Sequence, residues 1–178
     1  MAQKSNNLKG GDLRSLGKTN TLISEVTNQK EFDELFKGLF DTNRLVVMRS
    51  ADAVEKITIT HPEYLDSHKN ELVELFQTAN HIELKWHLAQ LIPRLIIRLK
   101  LSEDETGMVW DRLTQWALDK SGSRIVRVNS MQGLYDIQKK FPELKKDFTD
   151  TLLKLDRETI PSLVARIKIL RKKMKKPL

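Results

Sequence analysis

The apolar positions of this chain fall into helical stripes that return about every 40 residues. Met48, Ala51, Val54 and Ile57 stand at i, i+3, i+6 and i+9, and the same spacing recurs at Trp86, Ala89, Ile92 and Leu95, then at Val128, Met131, Leu134 and Ile137. The two intervals are nearly equal. An independent marker agrees, because His61-Pro62-Glu63 returns as Phe141-Pro142-Glu143, and the step from Pro62 to Pro142 equals the step from Met48 to Val128. Two helices per unit at this period predict an α-solenoid, in which each unit buries its apolar face only against its neighbours.

The finer pattern places the elements. Asp12 opens a first short helix, and Asn28 is a suitable N-cap with Glu31 at the third helical position. Phe32, Leu35, Phe36, Leu39 and Phe40 then form one stripe, so residues 12–40 read as an opening helix pair that acts as a cap. Three repeats follow, at 41–80, 81–120 and 121–158. In the first, a helix runs to Thr60 and stops before His61-Pro62, since a residue preceding proline is pushed out of helical geometry. Its second helix, over 66–78, buries Leu72, Val73, Leu75 and Phe76. The second repeat uses a helix over 81–100 bent at Pro93, then one opened by the Ser102-to-Glu105 capping box and ending near Asp119. The third pairs 123–140 with 143–156, the latter with Leu144, Phe148, Thr151, Leu152 and Leu155 on one face. A last helix, over 159–178, turns Val164, Ile167 and Leu170 inward and its basic side chains to solvent, as a terminal repeat requires. Residues 1–11 are polar and expected to be disordered. The expected fold is all-α: a single domain over 12–178 built as a short right-handed α-solenoid of HEAT- or armadillo-like helix pairs.

Charge changes this picture at one end only. The formal net charge is +7, yet of 31 basic residues seven fall after Ala165, namely Arg166, Lys168, Arg171, Lys172, Lys173, Lys175 and Lys176, leaving 24 against 24 acidic residues in the body. Any polyanion-binding function is therefore confined to the last helix, with Lys9, Arg14 and Lys18 joining it if the two ends converge. No stretch approaches the roughly 20 apolar residues that span a bilayer. The first residues lack a signal-peptide core and the chain has no cysteine, which together predict a cytoplasmic protein.

Particular segments sharpen the expectation. The run 11–20 (GDLRSLGKTN), then Phe36-Lys37-Gly38-Leu39-Phe40, then 46–57 (VVMRSADAVEKI) with His61-Pro62-Glu63, resembles a group of small, uncharacterised bacterial HEAT-repeat proteins. Lys85-Trp86-His87-Leu88-Ala89 and Leu91-Ile92-Pro93-Arg94-Leu95 are similar to the same group. Val47 stands where that group leads one to expect arginine. The resemblance covers most of the chain after residue 10; it implies a fold and no established activity.

Three arrangements bear on chemistry. Gly11 and Gly17 with Lys18-Thr19 miss the phosphate-binding loop by one residue, having five residues between the glycines where the loop needs four, and no strand precedes them. Trp110-Asp111-Arg112 resembles the tryptophan, aspartate and arginine used by the HEAT-like alkyl-base DNA glycosylases, but Val109, Trp110, Leu113, Trp116 and Ala117 share one helical arc, which makes both tryptophans core. Trp86 occupies a core register with His87 at its flank, and no two histidines stand at the i, i+4 spacing that converges on a metal. No catalytic residue, metal or cofactor is assigned. The leading expectation is a noncatalytic scaffold binding another protein along the second helices, through Lys69, Glu71, Glu74, Asp111, Arg112, Gln115, Lys145, Asp150 and Lys154. Nucleic-acid binding through the basic last helix is the alternative, and base excision at Asp111 the third reading.

Overall fold

The structure, a computed structural model, describes residues 22–175. The expected disorder of 1–11, the glycine-flanked loop, Lys9, Arg14, Lys18 and Lys176 lie outside the described residues. A helical stretch at 22–25 precedes eight α-helices: α1 (Gln29–Lys37), α2 (Arg44–Thr60), α3 (Lys69–Thr78), α4 (Ile82–Leu95), α5 (Glu103–Leu118), α6 (Arg124–Lys140), α7 (Lys145–Lys154) and α8 (Pro161–Met174). Short 3-10 turns at Gly38–Phe40, Pro62–His68 and Pro142–Leu144 connect them, and no strand occurs among the described residues. The fold is all-α, built from helix pairs at the spacing read from the sequence. No helix among the described residues is long and apolar enough to cross a membrane.

Helix ends follow local chemistry. The Asn28 side chain accepts from the Glu31 amide at 3.0 Å, while Glu31 reaches back to the Thr27 amide at 2.8 Å. Asn43 caps α2 by accepting from Leu45 N at 2.9 Å. Ser102 and Glu105 form the reciprocal capping box at 2.7 and 3.1 Å. Both X-Pro steps end their helices, at Thr60 and Lys140, and a 3-10 turn begins at each proline.

The chain divides into two compact units, Met1–Leu88 and Ala89–Leu178, with the boundary inside α4. In the first, Phe32, Leu35, Phe36, Leu39, Val54, Leu65, Leu72 and Phe76 make the core. Gly38 lets the end of α1 lie directly on α2, because a Cβ there would meet the buried Ser50 hydroxyl. In the second unit Met131, Leu134 and Ile137 of α6 are completely buried with Val109, Leu113, Phe148 and Leu163. Aligning α6 on α2 by their following prolines places Ser130 at the register of Ser50, both fully buried, and Gly133 at the small position of Ala53. Small side chains at one register thus mark where each unit brings helices close.

Several expectations are corrected. Phe40 is half exposed because α1 ends at Lys37 and the 3-10 turn changes the angular step, carrying it off the stripe. The α3 helix starts at Lys69, since the residues after Pro62 form a 3-10 segment first. The α4 helix ends at Leu95, two residues after Pro93, and is followed by turns through Lys100, whose φ is 49°. Val128 and Leu144 are only half-buried. In α8 the buried stripe is Leu163, Ile167 and Leu170, with Val164 half-buried. The order of Trp86 and His87 is reversed: His87 is buried and Trp86 is half-buried over it, their rings stacked 4.7 Å apart. The Glu55 carboxylate, 2.6 Å from His87 Nδ1, compensates the buried imidazole.

Candidate functional site

The second helix of each pair shows outward rows of mixed charge. On α3 the burial of Leu72, Val73, Leu75 and Phe76 turns Glu71 and Glu74 outward and leaves Lys69 half-buried. Glu71 is not independent: its carboxylate lies 2.7 Å from His68 Nδ1, whose Nε2 lies 2.7 Å from Asp33 of α1, with Phe36 stacked on the ring at 4.1 Å. Hydrogen bonds from Gln29 and then His68 hold the Asp33 carboxyl below its ordinary range. On α5, Trp110 and Trp116 are buried, so Asp111 and Gln115 face solvent. Arg112 is half-buried, lies over the Trp116 ring at 5.6 Å and donates to Gln115 at 2.9 Å, a direct contact joining two of the expected site residues. On α7, Lys145 and Lys154 are exposed, and the half-buried Asp150 pairs with Lys146 at 2.8 Å. The buried Trp110 indole offers no open aromatic wall for a flipped base.

The basic last helix is less uniform than its composition. Arg166 donates to Gln132 at 2.7 Å, Arg171 pairs with Asp156 at 2.6 Å, and the Lys173 ammonium lies 5.5 Å over the Tyr135 ring. Lys168, Lys172 and Lys175 remain exposed at i, i+4 and i+7, one outward row.

Sequence reasoning missed the polar groups built around α6. Arg127, fully buried, donates to Ala117 O at 3.0 Å and forms an ion pair with Glu158. With Pro62 and Pro142 aligned it falls at the register of Val47, the position where arginine is expected. At the other end of α6, Lys140 donates to Pro93 O and Arg94 O, each at 2.9 Å, in the last turn of α4. Burial lowers the Lys140 pKa. Between them Gln132 donates to Asp136 at 2.8 Å, and burial raises the Asp136 pKa. Gln132, Asp136 and Lys140 do stand at i, i+4 and i+8, but the same helix also carries Arg124, Asn129 and Lys139, so the spacing alone does not single them out. Among the described residues no group of three or more His, Cys, Asp or Glu is arranged to hold a metal ion.

Asp136 makes a pH prediction. Its folded-state pKa lies above the unfolded one, so the folded form holds its proton more firmly, and the group's contribution to stability is greatest in acid and falls as pH rises from the unfolded value through the folded one. Asp136→Asn keeps the acceptor for Gln132 and removes the partly desolvated charge. The variant is expected to melt higher than the parent at pH 7, with the advantage vanishing near pH 3; an unchanged or lower melting temperature at pH 7 would contradict this account.

The family model for the HEAT repeat domain matches residues 12–176. No curated protein and no solved structure matches the chain.

Proposed function

This chain belongs to the HEAT repeat domain family, and from that premise we propose that it is a noncatalytic scaffold that binds a partner protein through the outward rows of its second helices. The observation that carries the reading is the division of labour within those helices. Most of their large apolar residues, including both α5 tryptophans, are consumed by the core, with Leu153 of α7 left exposed, whereas Glu71, Glu74, Asp111, Gln115, Lys145 and Lys154 are exposed and of both signs. Within the second unit alone, Asp111, Gln115, Lys145 and Lys154 are of both signs, which matches the polar rim of a protein interface better than the continuous positive stripe of a nucleic-acid groove. A cytoplasmic setting and a bacterial source, in keeping with the group the sequence resembles, belong to the same proposal.

The test is capture from a nuclease-treated lysate of the source cell, comparing the parent with a variant carrying Ala at Glu71, Glu74, Asp111 and Gln115. All four are exposed, so the circular dichroism spectrum and melting temperature are expected to hold. A defined set of proteins retained by the parent and lost by the variant is the expected result. Identical retention by both, or loss of all retained material on nuclease treatment, would count against the scaffold reading. Polyanion binding keeps one supporting observation, the exposed row Lys168, Lys172 and Lys175, because Arg166, Arg171 and Lys173 are drawn into contacts within the fold.

A further inference from the structure

The outer face of α8 is built differently from that of the other first helices. By register α8 follows α6, with Ile167 and Leu170 repeating the spacing of Met131 and Leu134 one unit later, and all four buried. Yet α2 buries eleven of its 17 residues and α6 nine of 17, whereas α8 buries three of 14. At 100° per residue, the arc opposite Leu163, Ile167 and Leu170 carries Ser162, Ala165, Ile169 and Lys172, all exposed, with Ile169 at 48%. Lys168 and Lys175 border this arc on one side and Lys173 on the other. No acidic residue occurs between Pro161 and Lys175.

We propose that this face docks an acidic amphipathic helix of a partner protein, which seats its apolar side on Ala165 and Ile169 and brings carboxylates to Lys168, Lys172 and Lys175. Charge complementarity selects the partner, and the apolar centre separates it from nucleic acid. Phosphates gain nothing from Ile169, whereas a helix with apolar residues at i, i+4 and i+7 covers it. The two guanidiniums, the side chains best suited to forking a phosphate, point into contacts with Gln132 and Asp156. No aromatic residue lies on this helix to stack a base. The bound helix supplies α8 with a second packing neighbour, ridge against groove.

The probe is a fluorescein-labelled 18-residue peptide with leucine at i, i+4, i+7 and i+11 and glutamate flanking them, set against a scrambled peptide of the same composition and a 20-base-pair DNA duplex. Anisotropy at low and moderate salt is read for the whole chain, for Ile169→Ser and for Lys168→Glu/Lys172→Glu. The amphipathic peptide is expected to bind at least about tenfold more tightly than its scramble; Ile169→Ser is expected to lower its affinity about fivefold and the charge reversals about tenfold or more. All three substituted side chains are exposed, so the fold is retained and the loss reads the surface. Equal binding of peptide, scramble and duplex would reduce the face to a general polyanion site. Binding unaffected by Ile169→Ser, or no binding of the peptide, would also overturn the proposal. The surface shares no residue with the second-helix rows, so the alanine variant of α3 and α5 keeps this binding, and failure here leaves the scaffold reading standing.

Discussion

Replacing Arg127 with methionine is expected to destabilise the second compact unit by about 3–5 kcal/mol, the usual cost of removing one partner from a buried ion pair. The guanidinium is 1% exposed and answers two demands at once, the Glu158 carboxylate and the carbonyl of Ala117 in the last turn of α5. Methionine fills much of the volume but leaves a carboxylate with only 10% of its side chain exposed and no countercharge. The pairing, more than the charges themselves, is at stake. Accordingly Arg127→Met/Glu158→Leu should recover most of the loss, because an apolar pair of similar size escapes the desolvation cost of both ions. Urea unfolding of both single variants, the double variant and the parent measures the coupling. Additive losses in this cycle would show that Arg127 acts through packing and the Ala117 carbonyl alone.

Gly133→Ala should cost about 2 kcal/mol, although alanine is the better helix former by about 1 kcal/mol. A Cβ at Gly133 would lie 2.7 Å from Ala89 O and 2.8 Å from Pro93 Cγ. Neither neighbour yields: one is backbone and the other a proline ring. Pro93 itself creates the need, since it has no N–H to give the Ala89 carbonyl, and α6 approaches α4 at the turn where that bond is missing. Gly107, in the interior of α5, provides the opposite case, because a Cβ there would meet nothing within 4 Å. Gly107→Ala is expected to stabilise by about 0.5–1 kcal/mol. Thermal melts of the two alanine variants in parallel check the pair; a stabilised Gly133→Ala would remove the close approach from the account.

Much of the fold is legible along the chain because its determinants are local. Asn28, Ser102 with Glu105, and the two X-Pro steps end helices through bonds or clashes with near neighbours, and the periodic return of apolar stripes needs only counting. The candidate surfaces were legible to the same depth. Knowing that Leu72, Leu75 and Phe76 face inward is enough to turn Glu71 and Glu74 outward, but the hold of His68 on Glu71 depends on Asp33 and Phe36, which belong to a different helix. The seven C-terminal cations looked equivalent in the sequence. Three of them differ only because Gln132, Tyr135 and Asp156 lie within reach in space.

The sequence by itself determined helix, pairing period and the position of the basic end, since periodicity, capping and proline geometry act through neighbours in the chain. Tertiary structure alone decided which of two adjacent residues is interior, as with Trp86 and His87, because a rotation of about 100° separates them and Glu55, on α2, makes the histidine acceptable inside. It also decided that Arg127 and Lys140 donate to carbonyls in the last turns of other helices, a role that burial and a long-range acceptor create and that no local pattern announces.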